Sequence, residues 1–172
     1  VRERVQNLIL IGMPASGKIT LGVMTAKALG WDFLDTDVFI QSREGRTLKT
    51  IIRDEGVEAF GALESNYVCQ LHPAHCVVAT GGSVVFGARA MAHLQRLGRV
   101  VWLKVGLNEL QRRIDSLTER GVLHQPGQTL DDILKQREVL YRKYAHTVVE
   151  CAEKTPQQLV AELVGCVRFE AT

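Results

Sequence analysis

The chain is short of cysteine. It has four, Cys69, Cys76, Cys151 and Cys166, with no C-x-x-C pair and no zinc-like spacing. That excludes a disulfide framework and a cysteine zinc site, and it points to thiols kept reduced, hence to the cytoplasm. No apolar run approaches the length of a membrane span, and no signal-peptide pattern is present. Charge is short as well: 21 basic against 19 acidic residues leave +2. Nothing in that balance asks for a nucleic-acid or membrane surface. There is no internal repeat, low-complexity tract or linker. What remains is 172 residues, 46% hydrophobic and 23% charged. This is the composition of a folded chain large enough for a real core. The expectation is one domain over 1–172, monomeric, acting on a small molecule.

The most informative segment is Gly12–Thr20, Gly-Met-Pro-Ala-Ser-Gly-Lys-Ile-Thr. It meets the phosphate-loop pattern Gly-x-x-x-x-Gly-Lys-[Ser/Thr] at Gly12, Gly17 and Lys18 and breaks it at Ile19. Leu8–Ile11 before it is an apolar run suited to a buried strand, and Lys18–Leu29 after it has helical spacing with Gly30 as its stop. A strand, a glycine turn and a helix N-terminus aim several N–H groups at one point, which suits a nucleotide's phosphates. ATP is the expected ligand. It would be held by Gly12, Pro14, Ala15, Ser16, Gly17, Lys18, Ile19 and Thr20, with Lys18 reaching its terminal phosphates. Isoleucine offers no oxygen to Mg²⁺. Thr20, turned about 100° from it on a helix, is a poor substitute. Mg²⁺ would then rely on water, phosphates and a carboxylate.

Strand-like runs at Leu8–Ile11, Trp31–Leu34, Cys76–Ala79, Val100–Leu103 and Thr147–Val149 alternate with helical stretches. The helical stretches are Lys18–Leu29, Val38–Glu64 in two or three pieces, Ala88–Leu97, Leu107–Leu117, Leu130–Tyr144 and Pro156–Val167. This alternation predicts an α/β fold, a parallel sheet covered on both faces. Ligands bind such sheets at the carboxyl ends of the strands. There the sequence places Asp35-Thr36-Asp37 after the second strand and Thr80-Gly81-Gly82-Ser83 after the third. Asp35 can hold Mg²⁺ through water, Asp37 can accept a hydroxyl proton, and one of the two can instead cap the following helix. Gly81-Gly82 permits close approach of backbone to ligand. The Gly-, Pro- and Gln-rich stretch near 118–129 reads as a mobile lid, from which Arg120 can swing onto phosphates.

These segments, with Leu34-Asp35-Thr36-Asp37, Gly45-Arg46, Phe60, Glu64, Ala79-Thr80-Gly81-Gly82, Arg120 and Arg137 in order, resemble the shikimate kinase family over nearly the whole chain. The resemblance implies a P-loop, nucleoside-monophosphate-kinase-like fold with a five-stranded parallel sheet in the order 2-3-1-4-5. Substrate-binding helices would lie at about 36–75. It implies transfer of the ATP γ-phosphoryl to the 3-hydroxyl of shikimate, with Lys18, Asp37 and Arg120 catalytic. Asp35 would belong to the Mg²⁺ shell, and Asp37, Gly81, Gly82 and Arg137 would hold the substrate. Arg113, Lys154 and Pro156 would flank adenine. The chain departs from the family pattern at Ile19, at Gly61, where the family has a carboxylate-binding arginine, and at Ser83, which replaces a third glycine. These departures keep two other readings open: a weak or inactive nucleotide-binding relative, and a gluconate-type kinase.

Overall fold

The computed structural model describes residues 6–114 and 127–168. Five strands form one parallel sheet in the order β2-β3-β1-β4-β5. They are β1 (Asn7–Ile11), β2 (Asp32–Asp35), β3 (Cys76–Ala79), β4 (Arg99–Lys104) and β5 (Thr147–Glu150). Each runs parallel to its neighbours, with Leu10 of β1 opposite Ala79 of β3 and Val101 of β4. Among the described residues the eight α-helices are α1 (Lys18–Leu29), α2 (Thr36–Glu44), α3 (Leu48–Glu55), α4 (Val57–Cys69), α5 (Ala88–Leu97), α6 (Leu107–Arg113), α7 (Leu130–Tyr144) and α8 (Pro156–Arg168).

Period-two alternation divides the central strands between two cores. Ile9, Ile11, Val78, Val100 and Trp102 pack on one face with Met91 and Leu94 of α5 and Ile133 and Tyr141 of α7. Leu8, Leu10, Val77, Val101 and Leu103 pack on the other with Leu21 and Ala26 of α1 and Leu159 and Leu163 of α8. Strands buried on both sides read as continuous apolar runs, which is why β1, β3 and β4 stand out in the sequence. A third small core, Ile40, Ile51 and Phe60, joins α2, α3 and α4.

At the amino end of the sheet, the buried side chain of Asn7 joins three segments. Its Nδ2 donates to Pro73 O and Leu97 O, each at 2.9 Å, and its Oδ1 accepts from Cys76 N at 3.1 Å. The opposite, carboxyl end carries the loops after β1, β2 and β3.

Several boundaries differ from those expected. β2 is shifted one residue, to Asp32–Asp35, because Asp35 ends the strand and caps α2: its Oδ1 accepts from Asp37 N at 2.8 Å and Val38 N at 3.4 Å. α2 accordingly starts at Thr36 rather than Val38, and the expected helical stretch resolves into three helices. α6 ends at Arg113, where Ile114 turns extended, and the rest of the stretch expected to 117 lies outside the described residues. The expected lid segment lies largely outside the described residues.

Candidate active site

The turn from β1 to α1 combines unusual backbone conformations. Gly12 (φ 150°) and Gly17 (φ 97°) take up conformations open mainly to glycine, and Ala15 (φ 63°) is left-handed. Gly17 precedes α1 and has no side chain to bond its first turn, so those N–H groups are left for an anionic ligand. Lys18 is 8% exposed and folds back over the loop, its Nζ donating to Gly12 O and Met13 O, each at 2.8 Å. Burial pushes its ammonium down to about 8 against the opposing pull of Asp37.

The loop forms one wall of a cavity of about 750 Å³. Pro14, Ala15, Gly17, Lys18, Ile19 and Thr20 line it from the loop; Asp35, Asp37, Gly81, Gly82, Arg113 and Arg137 line it from elsewhere. Sequence expectation and structure therefore meet on one space. Gly12 and Ser16 lie buried behind the loop surface. Arg113 arrives from the end of α6, its Nη1 donating to Ala15 O at 3.0 Å. Lys154 pairs with Glu162 at 2.6 Å, and neither Lys154 nor Pro156 is on this wall. Arg120 lies outside the described residues.

Across from the loop, β3 leads into the Gly81-Gly82 turn. Thr80 Oγ1 ties it to β1 by donating to Leu10 O at 2.9 Å, and Gly81 N donates to Thr36 Oγ1 at 3.2 Å. The turn is crowded by functional groups. A Cβ on Gly81 would lie 2.8 Å from both Asp37 Oδ1 and Glu64 Oε1, and one on Gly82 would lie 2.8 Å from Arg137 Nη1 and from Pro14 Cδ. α7 begins with a Thr129–Asp132 capping box, and its inward stripe carries Ile133, Arg137 and Tyr141. Tyr141 Oη donates to Gly82 O at 2.8 Å, fixing the turn against this helix.

The electrostatics are those of a site short of water. Burial, with help from the negative charge of Asp35, lifts Asp37 to about 6. Glu64, 3% exposed, is lifted to about 7 by burial and then by Asp37. Sequence reasoning did not place Glu64 in the site. A signal was present: Phe60, Glu64 and Val68 recur every four residues along the buried side of α4, and an acid in an apolar stripe needs a reason.

ATP and Mg²⁺ fit these groups in different ways. The glycine cradle, the first-turn N–H groups and Lys18 suit a polyphosphate. Asp35 on the cavity wall could hold Mg²⁺ together with phosphate and water, whereas Ile19 on the same wall offers the ion carbon only.

A family sequence model described as shikimate kinase matches residues 14–168. "Shikimate kinase 2" of Enterobacter sp. (strain 638) is 32% identical over 95% of this chain and 97% of its own. "Shikimate kinase" of Thermobifida fusca is 37% identical over 91% of each. In structure, the shikimate kinase of Acinetobacter baumannii solved in complex with shikimate superposes with a TM-score of 0.88 at 29% identity, covering 97% of this chain and 95% of that one. With the nucleotide loop, the acidic pair and the double-glycine turn assembled on one rim, and with this likeness spanning the chain, the protein belongs to the shikimate kinase family.

Proposed function

We propose that this protein transfers the γ-phosphoryl of ATP, taken with Mg²⁺, to a hydroxyl of shikimate or a closely related polyhydroxy acid. The observation that carries this reading is the position of Asp37. Its carboxylate lies beside the Gly81 backbone, with Lys18 and Arg137 on the walls of the same cavity. An acceptor whose acid group rests on Arg137 then has a hydroxyl to offer to Asp37, and the phosphate loop supplies the other reactant.

The roles follow from chemistry. Phosphoryl transfer needs alignment and charge stabilisation more than covalent help from the protein. The loop N–H groups and Lys18 hold the polyphosphate and stabilise charge on the leaving phosphate. Asp37 accepts the hydroxyl proton as the new P–O bond forms and the bond to the β-phosphate oxygen breaks. Mg²⁺, when bound, neutralises phosphate charge from the side of Asp35. Arg120 would complete the charge clamp, and Lys154 and Pro156 would border adenine beyond Arg113. We take the chain to act in the cytoplasm as a monomer on a small-molecule substrate; its four free cysteines suit a reducing compartment. Family membership does not favour the gluconate-type or inactive alternatives.

A coupled ADP-release assay with shikimate, followed by phosphorus NMR of the product, tests the reading. Asp37→Asn should lower kcat at least a hundredfold and leave ATP affinity in place. A folded wild type that releases no ADP with shikimate or any related polyhydroxy acid overturns it.

A further inference from the structure

Glu64 has one oxygen accounted for and one not. Its Oε2 accepts from Ser83 Oγ at 3.3 Å, while Oε1 is buried with no hydrogen-bond partner among the described residues. A buried acceptor left without a donor is strongly disfavoured. The Glu64 side chain stands between two spaces. One is the cavity of the active site. The other, of about 450 Å³, is bordered by Val57, Gly61, Ala62, Phe86 and Gln136. Glu64 and Ser83 belong to the walls of both, so the spaces meet at this carboxylate. The second space exists because α4 has no side chain at position 61. A Cβ built there has nothing within 4 Å. Phe86, 48% exposed, forms its apolar side, and the Arg137 guanidinium lies 5.6 Å from that ring's centroid.

Resting on the kinase reading above, we propose that this second space is a subsite for the acceptor. The substrate class it selects is a polyhydroxy acid bearing a further hydrogen-bond-donating substituent beside its acid group. The acid group lies on Arg137, and the substituent passes Gly61 and donates its O–H or N–H to Glu64 Oε1. A carboxylate does not belong in the subsite, since Glu64 would face it with like charge. A hydroxyl or an amine does, and the apolar border of Ala62 and Phe86 leaves room for the carbon that carries it. A ring acid without such a group leaves Glu64 Oε1 without a donor.

Two ring acids make the test: shikimate, and quinate, which carries a hydroxyl on the same carbon as its carboxylate. Calorimetric titration of the protein loaded with ADP and Mg²⁺ reads binding independently of transfer, and the coupled assay reads transfer. Gly61→Met fills the subsite, and Gly61→Ala, which adds one methyl to open space, guards against a folding defect in the larger variant. Expected are measurable quinate binding to wild type, a tenfold or greater loss in Gly61→Met, an intermediate loss in Gly61→Ala, and less than threefold change for shikimate. The inference is overturned if wild type does not bind quinate, or if filling position 61 leaves quinate affinity unchanged or weakens both acids equally. Binding of both acids with the expected losses but no phosphorylation of either sinks the kinase reading and leaves the subsite standing. Phosphorylation of shikimate without quinate binding does the reverse.

Discussion

Lys18 is held as an ammonium against its own burial, with two backbone carbonyls of the loop as its partners. Burial lowers its value to about 8, so it loses its proton more readily than an exposed lysine. Phosphate oxygens would draw the proton back, because an opposite charge nearby favours the charged form. ATP binding at pH 8 should therefore take up a fraction of a proton, seen as a dependence of calorimetric enthalpy on the ionisation enthalpy of the buffer. Lys18→Ala should remove that dependence and weaken ATP at least tenfold. Ile19 poses the complementary question, since it brings carbon where Mg²⁺ wants oxygen. Ile19→Ser should tighten Mg²⁺-dependent nucleotide binding several-fold and raise kcat. At 56% exposure the change should cost the fold little. Unaltered Mg²⁺ dependence in a folded Ile19→Ser protein would show that Asp35 and water already suffice.

The Gly81-Gly82 turn and α4 act as a pair of elements, one bringing backbone to the substrate and the other bringing Glu64 up beneath it. Gly81→Ala places a methyl 2.8 Å from Asp37 Oδ1 and Glu64 Oε1. One of the carboxylates must then move. The expected result is a fall in kcat of at least tenfold with ATP affinity kept, since the phosphate loop is a separate element; steady-state kinetics and an ATP titration check both halves. On α4, Gly61→Arg would set a guanidinium three residues before Glu64, on a neighbouring position of the helix. That arginine can pair with a substrate carboxylate and should lower the Michaelis constant for shikimate by about tenfold to a hundredfold, the worth of about 1.5–3 kcal/mol for a charged hydrogen bond. At this scale one also sees what was legible in the sequence. The buried strands and the glycine loop announce themselves because burial on two faces and positive φ each demand particular residues. The pairing of Asp35 with Asp37 was legible too, and so was that one of them caps the next helix; which one was not, since strand end and helix start compete for the same residue. Glu64 went unplaced because its meaning depends on which loop packs over α4, a contact between residues seventeen or more apart in the chain.

For the molecule as a whole, the raised carboxyls make stability depend on pH in an uncommon direction. Glu64 goes from an ordinary 4.5 to about 7, and Asp37 from 3.8 to about 6. In each case the folded state holds a proton that the unfolded chain has already released. Stability is therefore full below the unfolded values, declines as pH rises through about 4 to 7, and stays reduced above that. Wild-type Tm should rise as pH is brought from 8 to 5.5. Glu64→Gln should be more stable than wild type at pH 8, by up to about 3 kcal/mol, and equal to it near pH 4. Thermal melts across that range would settle it; a wild type whose Tm drops steadily with acid from pH 8 would show Glu64 to be charged and content. The cost is concentrated where the chemistry is, which is the usual pattern for groups tuned to a task.

The amide of Asn7 has a consequence for how the chain is made. Its partners lie 66, 69 and 90 residues downstream. β1 leaves the ribosome before the strands it pairs with, yet it sits in the middle of the sheet between them. Until Ala79 has emerged, Leu8–Ile11 has an unpaired edge on both sides, and until β4 follows it still has one. Pairings of such long span form slowly, because the chain between them must be ordered before any contact rewards it. A growing chain thus carries an open edge on this apolar strand over the whole stretch from β1 to β4, and a chaperone that binds short aliphatic stretches has its natural target there.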